Sequence, residues 1–295
     1  MNIKNQFSKE SNDVNNDLQN VQRLGDELNS AIILPRALED LSVHDEIILK
    51  KRQLLIDSGK FKGNTAELAV YKKNPQLFEL PSKVKSWTIG LLLGDASIQV
   101  NTSGNGARIK IQQAYKNVEL LQATRMFLLP WVLSGISVPK TRKIGNQYCE
   151  LQTISHPVFI DLANIISTPL PDKSFQSNQV LLKQPELLLN HLDYIVLGGW
   201  FCTDGGRRDY GKNEGKAIQF HTQGFTQEGC EALAWHLTNK LDLETKSKYD
   251  YTSPDGTQRF LLEVHARSFE TFVDRVGPYI LPNFEKRLPR PRRGK

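Results

Sequence analysis

Apolar and polar positions alternate in two rhythms along residues 86–280, and each rhythm marks a kind of element. An apolar run from Trp87 to Gly94 reads as a buried helix and stops at Asp95-Ala96-Ser97. Period-two alternation then predicts strands near Ser97–Val100 and Arg108–Gln113, joined by the turn-rich NTSGNG of residues 101–106. A helix over Val118–Leu129, strands near Lys140–Ile144 and Gln147–Thr153, and a helix over Pro157–Ile166 complete a unit. Ser167–Gln179, rich in Pro and Ser, has the composition of a linker.

The same order then returns. An apolar helix from Tyr194 to Thr203 stops at Asp204-Gly205-Gly206, and strands follow near Gly206–Tyr210 and Lys216–Gln223. A helix over Gln227–Leu241, strands near Thr245–Tyr251 and Gln258–His265, and a helix over Ser268–Ile280 close the second unit. Asp95 and Asp204 are 109 residues apart, as are Glu119 and Glu228. Matched spacing over that distance predicts two copies of one αββαββα unit, related by a pseudo-twofold axis. The expected division is an extension at 1–83, a first unit at 84–178, a second at 179–289 and a basic tail at 290–295. The first thirty residues, rich in Asn, Asp, Gln and Ser, are expected to be mobile. Val43–Leu80 has helical spacing and reads as a solvated extension packed loosely on the body.

Composition narrows the partner. The net charge is +6, but residues 1–50 carry five Lys/Arg against nine Asp/Glu, so the rest of the chain holds +10. A polyanion would therefore meet the part after residue 50. Cys149, Cys202 and Cys230 are sparse and far apart, which argues against a zinc site and fits a reducing compartment. The apolar runs are too short to cross a bilayer, and the polar N-terminus reads as neither signal nor transit peptide.

The two opening helices carry the candidate chemistry. Thr88–Ala96 reads TIGLLLGDA and Leu197–Gly205 reads LGGWFCTDG. The third position is Gly in both (Gly90, Gly199), the seventh is small (Gly94, Thr203) and the eighth is Asp (Asp95, Asp204). Small residues four apart let two helices approach along one face, which would carry both carboxylates to the same end. Like charges at two helix C-termini oppose each other and the helix dipoles, and a hard divalent cation would relieve both conflicts.

These paired motifs resemble those of the LAGLIDADG homing endonucleases, in the monomeric two-motif branch. AIQFHTQGFT (Ala217–Thr226), PYIL and KRLP near the C-terminus are also similar to that branch. The resemblance covers roughly Lys85–Pro289 and implies an α+β fold in which two antiparallel sheets form a saddle over double-stranded DNA. It implies that Asp95 and Asp204 bind Mg²⁺ (or Mn²⁺) at the scissile phosphates of a long recognition site. Both strands would be cut, leaving short 3′ overhangs. A monomer encoded in an organellar intron is the implied setting, with intron RNA left open as an alternative partner for a maturase on the same fold. Arg287 and Lys173 stand where the branch has basic active-site residues, with Lys183 a rival to Lys173. A phosphate contact in the basic tail is the other reading of Arg287.

Strand alternation offers the DNA face. Arg108, Lys110 and Gln112 point opposite to Ile109 and Ile111, and Gln219, His221 and Gln223 opposite to Ile218 and Phe220. Arg207 and Arg208 start the strand after the second motif, and Lys246 and Lys248 alternate with Ser247 and Tyr249. Such side chains suit base edges and phosphates.

Overall fold

The computed structural model describes residues 34–38, 79–132, 135–142, 145–169, 175–177, 188–210 and 213–289. Helix α1 (Ser82–Leu93) leads into strands β1 (Ala96–Val100) and β2 (Ala107–Ala114), then α2 (Val118–Phe127), β3 (Lys140–Thr141), β4 (Gln147–Gln152) and α3 (Ile160–Ile166). After a hairpin of β5 (Ser167–Pro169) and β6 (Phe175–Ser177) comes α4 (Tyr194–Asp204). Strands β7 (Gly205–Tyr210) and β8 (Asn213–Phe220), helix α5 (Gln227–Leu241), strands β9 (Thr245–Thr252) and β10 (Gln258–Val264), and helix α6 (Phe269–Arg275) follow. Both four-stranded sheets are antiparallel, in the orders β1-β2-β4-β3 and β7-β8-β10-β9. Even the register repeats: Ala96 faces Ile111 where Gly205 faces Phe220, and Ile98 faces Ile109 where Arg207 faces Ile218. The fold is α+β, with two repeated units.

A helix that is apolar all round must be covered all round. In α1 every residue from Trp87 to Leu93 is buried, and in α4 every residue from Val196 to Thr203. Each helix packs on its twin and on its own unit: Trp200 and Phe201 lie 4.6 and 6.2 Å from Phe220, and Trp87 packs edge-on to Phe127 at 4.9 Å. Complete burial of a side chain such as Phe220 contributes about 1.5–3 kcal/mol. The seam between α1 and α4 is closest at Gly90 and Gly199. A Cβ added at Gly90 would fall 2.2 Å from the Val196 carbonyl oxygen, and one at Gly199 2.5 Å from that of Trp87. Asp193 caps α4 by accepting from the Val196 N–H at 2.7 Å, and it also accepts from Ser86 Oγ of α1 at 2.8 Å. The two N-termini are thus tied together, and both C-termini emerge at the other end.

The structure differs from the sequence expectations in several places. The proposed linker Ser167–Gln179 contains the β5–β6 hairpin. Helix α2 stops at Phe127 and gives way to a 3-10 turn at Leu129–Trp131, because Pro130 has no N–H to continue it. The helix expected over Ser268–Ile280 spans only Phe269–Arg275, since Gly277-Pro278 ends it and starts another 3-10 turn. Within the extension, Leu34 and Leu38 join the hydrophobic core, and Arg36 pairs with Glu285 at 3.5 Å. The chain before the first unit is therefore anchored at that point. The first thirty residues, the expected helices over 43–78, the tail at 290–295, Lys173 and Lys183 lie outside the described residues.

Candidate active site at the end of the helix seam

The seam delivers the two motif carboxylates to one place. A Cβ at Gly94 would lie 3.0 Å from Asp204 Oδ2 and 2.0 Å from Thr203 Oγ1, so the second motif folds directly over the first. The Thr203 hydroxyl donates back to the Trp200 carbonyl at 2.8 Å, and its oxygen takes the space that a side chain at position 94 would need.

The surroundings of the two carboxylates differ. Asp95 is exposed, and its Oδ2 accepts from Gln113 Nε2 at 2.6 Å. Gln113 is buried, and its Oε1 accepts from Asn117 Nδ2 at 3.4 Å, which orients the amide with its N–H towards Asp95. Asp204 is half-buried. Burial raises its pKa to about 7, the Asp95 charge pushes the same way, and the Arg287 guanidinium opposes them. Arg287 Nη1 donates to the carbonyls of Cys202 at 3.2 Å and Thr203 at 3.0 Å, and its guanidinium lies 4.4 Å over the Phe284 ring. A cation on the last carbonyls of α4 offsets the negative end of the helix dipole beside Asp204. Burial lowers the Arg287 pKa, and the charges of Cys202, Asp95 and Asp204 act against that shift. Arg287 thus lies at the end of α4, within electrostatic reach of both motif carboxylates.

The donor set suits a hard divalent cation. Both groups are carboxylates, Asp204 is held partly in its neutral form by burial and by its twin, and a cation would relieve that conflict. Among the described residues no group of three or more His, Cys, Asp or Glu gathers as a metal site, so side-chain ligation here rests on two carboxylates. The three cysteines are free and buried. Among the described residues no helix is long and apolar enough to cross a membrane.

On the polar faces of the sheets, the sequence-predicted residues are not left as isolated cations. Arg108 Nε donates to Gln99 Oε1 at 3.0 Å. Lys110 reaches Glu150 at 3.4 Å, Gln112 donates to Glu150 Oε2 at 3.0 Å, and Lys140 pairs with the same carboxylate. These contacts hold the Glu150 carboxyl down to about 2, Lys140 contributing most. In the second sheet Gln219 lies opposite Glu263, which binds Arg208, Lys246 at 3.2 Å and Lys248 at 3.8 Å. His221 is exposed, and its backbone N–H donates to the Asp204 carbonyl at 3.0 Å. Two expectations need correcting. Gln223 is beyond the end of β8, in a turn, where it donates to Asp250 at 2.9 Å. Arg207 sits opposite Ile218, on the core side of the strand, and alternation from Gly206, which faces Gln219, leaves Arg208 on the polar side.

Sequence reasoning missed Gln113, Glu150 and Glu263. Gln113 carried a signal: it continues the parity of Ile109 and Ile111, so it is a polar residue at a core position.

Residues 85–272 match the model of the LAGLIDADG DNA endonuclease family. The chain is 27% identical over 212 residues to a probable intron-encoded endonuclease 1 of Wickerhamomyces canadensis, covering 70% of this chain and 84% of that one. It is 26% identical over 247 residues to the cytochrome b mRNA maturase bI2 of Saccharomyces cerevisiae, covering 82% of this chain and 55% of the relative. Its fold is similar to that of the homing endonuclease I-WcaI bound to its DNA recognition sequence. The TM-score is 0.60 at 23% identity, over 74% of this chain and 91% of that one.

Proposed function

Because the chain belongs to the LAGLIDADG DNA endonuclease family, we propose that it is a homing endonuclease that cuts both strands of one long DNA site. The observation that carries this reading is the pair Asp95 and Asp204, brought from two repeats to one end of a glycine seam. One chain supplies both carboxylates, so a monomer suffices. The polar sheet faces supply Arg108, Lys110, Gln112, Arg208, Gln219, His221, Lys246 and Lys248 for backbone and base contacts.

The carboxylates of Asp95 and Asp204 would hold Mg²⁺ or Mn²⁺. Such an ion, held by these two carboxylates, would supply the Lewis acidity that activates water and neutralises charge on a phosphodiester. Gln113 fixes the rotamer of Asp95 and presents an amide beside it, so the first carboxylate is positioned before DNA arrives. Arg287 holds the end of α4 and keeps a positive charge near both carboxylates. The names of relatives called intron-encoded endonucleases support an intron-borne gene, and with it the organellar setting that the family resemblance implies.

The test incubates the protein and Mg²⁺ with DNA spanning the uninterrupted insertion site of its host gene. A double-strand break with 3′ overhangs is expected, and Asp95→Asn and Asp204→Asn should each abolish it. The similarity to a maturase favours a second reading, an RNA-splicing role on the same fold. Tight binding of the intron transcript without DNA cleavage would select that reading.

A further inference from the structure

The polar face of each sheet has a carboxylate at its middle, and neither acid serves the cleavage site. Glu150 is on β4 opposite Gln112, and Glu263 is on β10 opposite Gln219. These strands hold equivalent places in the two sheet orders. Glu263 is only 2% exposed although it lies on the polar face, because Arg208, Lys246 and Lys248 close over it. Glu150 gathers Lys110, Lys140 and Gln112 in the same way. A carboxylate on a surface meant for phosphates is unfavourable by its own charge, so its recurrence in both halves calls for a role.

We propose that Glu150 and Glu263 are specificity-determining residues that restrain the cations of the two sheets and so weaken binding to DNA away from the target; this rests on the DNA-cleaving reading. The physical argument concerns what a cation must leave behind. Lys246 can reach a phosphate only by moving off Glu263, which strips a buried carboxylate of a partner, a costly change. On random DNA the gain is one phosphate contact, which does not repay that loss, so the cation stays where it is. On the target the cations need not leave: held by the acids, they are oriented towards base edges, and the cost does not arise. Discrimination comes from the restraint as much as from the contacts.

The experiment compares Glu150→Gln, Glu263→Gln and the unaltered protein, each in EDTA so that cleavage does not intervene. Binding is measured against salt for a duplex carrying the cleaved sequence and for a shuffled duplex of the same composition. Each substitution should tighten binding to the shuffled duplex roughly 3- to 10-fold and steepen its salt dependence by about one released counterion per freed cation. Target affinity should change less, so the affinity ratio falls. Selection from a randomised target should show relaxed base preference in one half-site for Glu150→Gln and in the other for Glu263→Gln. Adding Lys246→Gln to Glu263→Gln should remove part of the extra salt dependence. Melting curves identify a variant that fails to fold, and the more exposed Glu150 then carries the test alone. Parallel loss of both affinities, with an unchanged ratio and salt slope, would mean that the acids only support the fold, and the proposal falls. Failure of the unaltered protein to bind or cut any DNA would instead overturn the endonuclease reading.

Discussion

Asp95 and Asp204 end the same helix in two copies of the same unit, yet they sit in different chemistry. Asp95 is exposed and held by the Gln113 amide, whereas Asp204 is half-buried, raised to about 7 and flanked by Arg287. The position that matches Gln113 in the second unit is Thr222, whose hydroxyl is turned away to the Phe260 carbonyl at 3.0 Å. The repeated backbone thus places two carboxylates symmetrically, while the side chains around them have diverged. Two phosphodiesters cut at such a site need not be cut at the same rate.

The largest expected effect removes the meeting of the two ends altogether. At Gly90 even a methyl group would strike the Val196 carbonyl and the Trp200 amide, backbone atoms that no rotamer change can move. Gly90→Val should cost about 4 kcal/mol or more, with loss of cooperative melting and of cleavage. Gly206 offers a control, since a Cβ there meets nothing within 4 Å and Gly206→Ala should melt close to the unaltered protein. At Gly94 the obstacle is the side chain of Thr203, so the outcome differs. Gly94→Ala should cost about 1–3 kcal/mol by overpacking, and Thr203→Gly in the same chain should restore most of it. A double-mutant cycle with no coupling would show that the seam relaxes elsewhere.

The next effect bears on the divergence itself. Gln113→Leu removes the amide from Asp95 but leaves Asp204 and its surroundings alone. Cleavage of one strand should slow by about 10- to 100-fold, the usual cost of losing a group that orients a metal-binding side chain. Nicked DNA should then accumulate with its break always in the same strand. Equal slowing on both strands would mean that the two carboxylates act as one unit and that their different surroundings carry no kinetic meaning.

Much of this arrangement was legible in the sequence, for a physical reason. Gly90, Gly94, Asp95 and their partners at an offset of 109 encode a backbone approach, which leaves little freedom in residue type. Arg108 and Lys110 were assigned to the right face because strand parity is strict. Arg207 was misplaced because neighbouring strand residues point to opposite faces, so Arg207 and Arg208 could not both belong to the polar one, and only the pairing of Arg207 with Ile218 tells which does not. Glu150 and Glu263 went unnoticed because an acid on a basic face makes sense only once the cations around it are seen in space. Gln223 was drawn into a strand that ends three residues earlier.

The smallest effect concerns Asp204 alone. Its pKa is raised from the ordinary 3.8 to about 7, chiefly by burial and then by Asp95. Between those values the folded protein holds a proton that the unfolded chain has released, so stability falls as pH rises. The contribution is fully present below pH 4, fades through the interval and is gone above pH 7. Asp204→Asn has no proton to lose. In EDTA it should match the unaltered protein near pH 4 and exceed it by about 1–2 kcal/mol at pH 8, allowing for the partial exposure of the site. Asp95→Asn, at the exposed and amide-held position, should gain less. Divalent cation in the buffer should erase the difference by stabilising only the chain that keeps both carboxylates, and more cation should be needed below pH 7, where protons compete for Asp204. A gain of equal size for both substitutions would place the two carboxylates in equivalent surroundings and remove the asymmetry from the site.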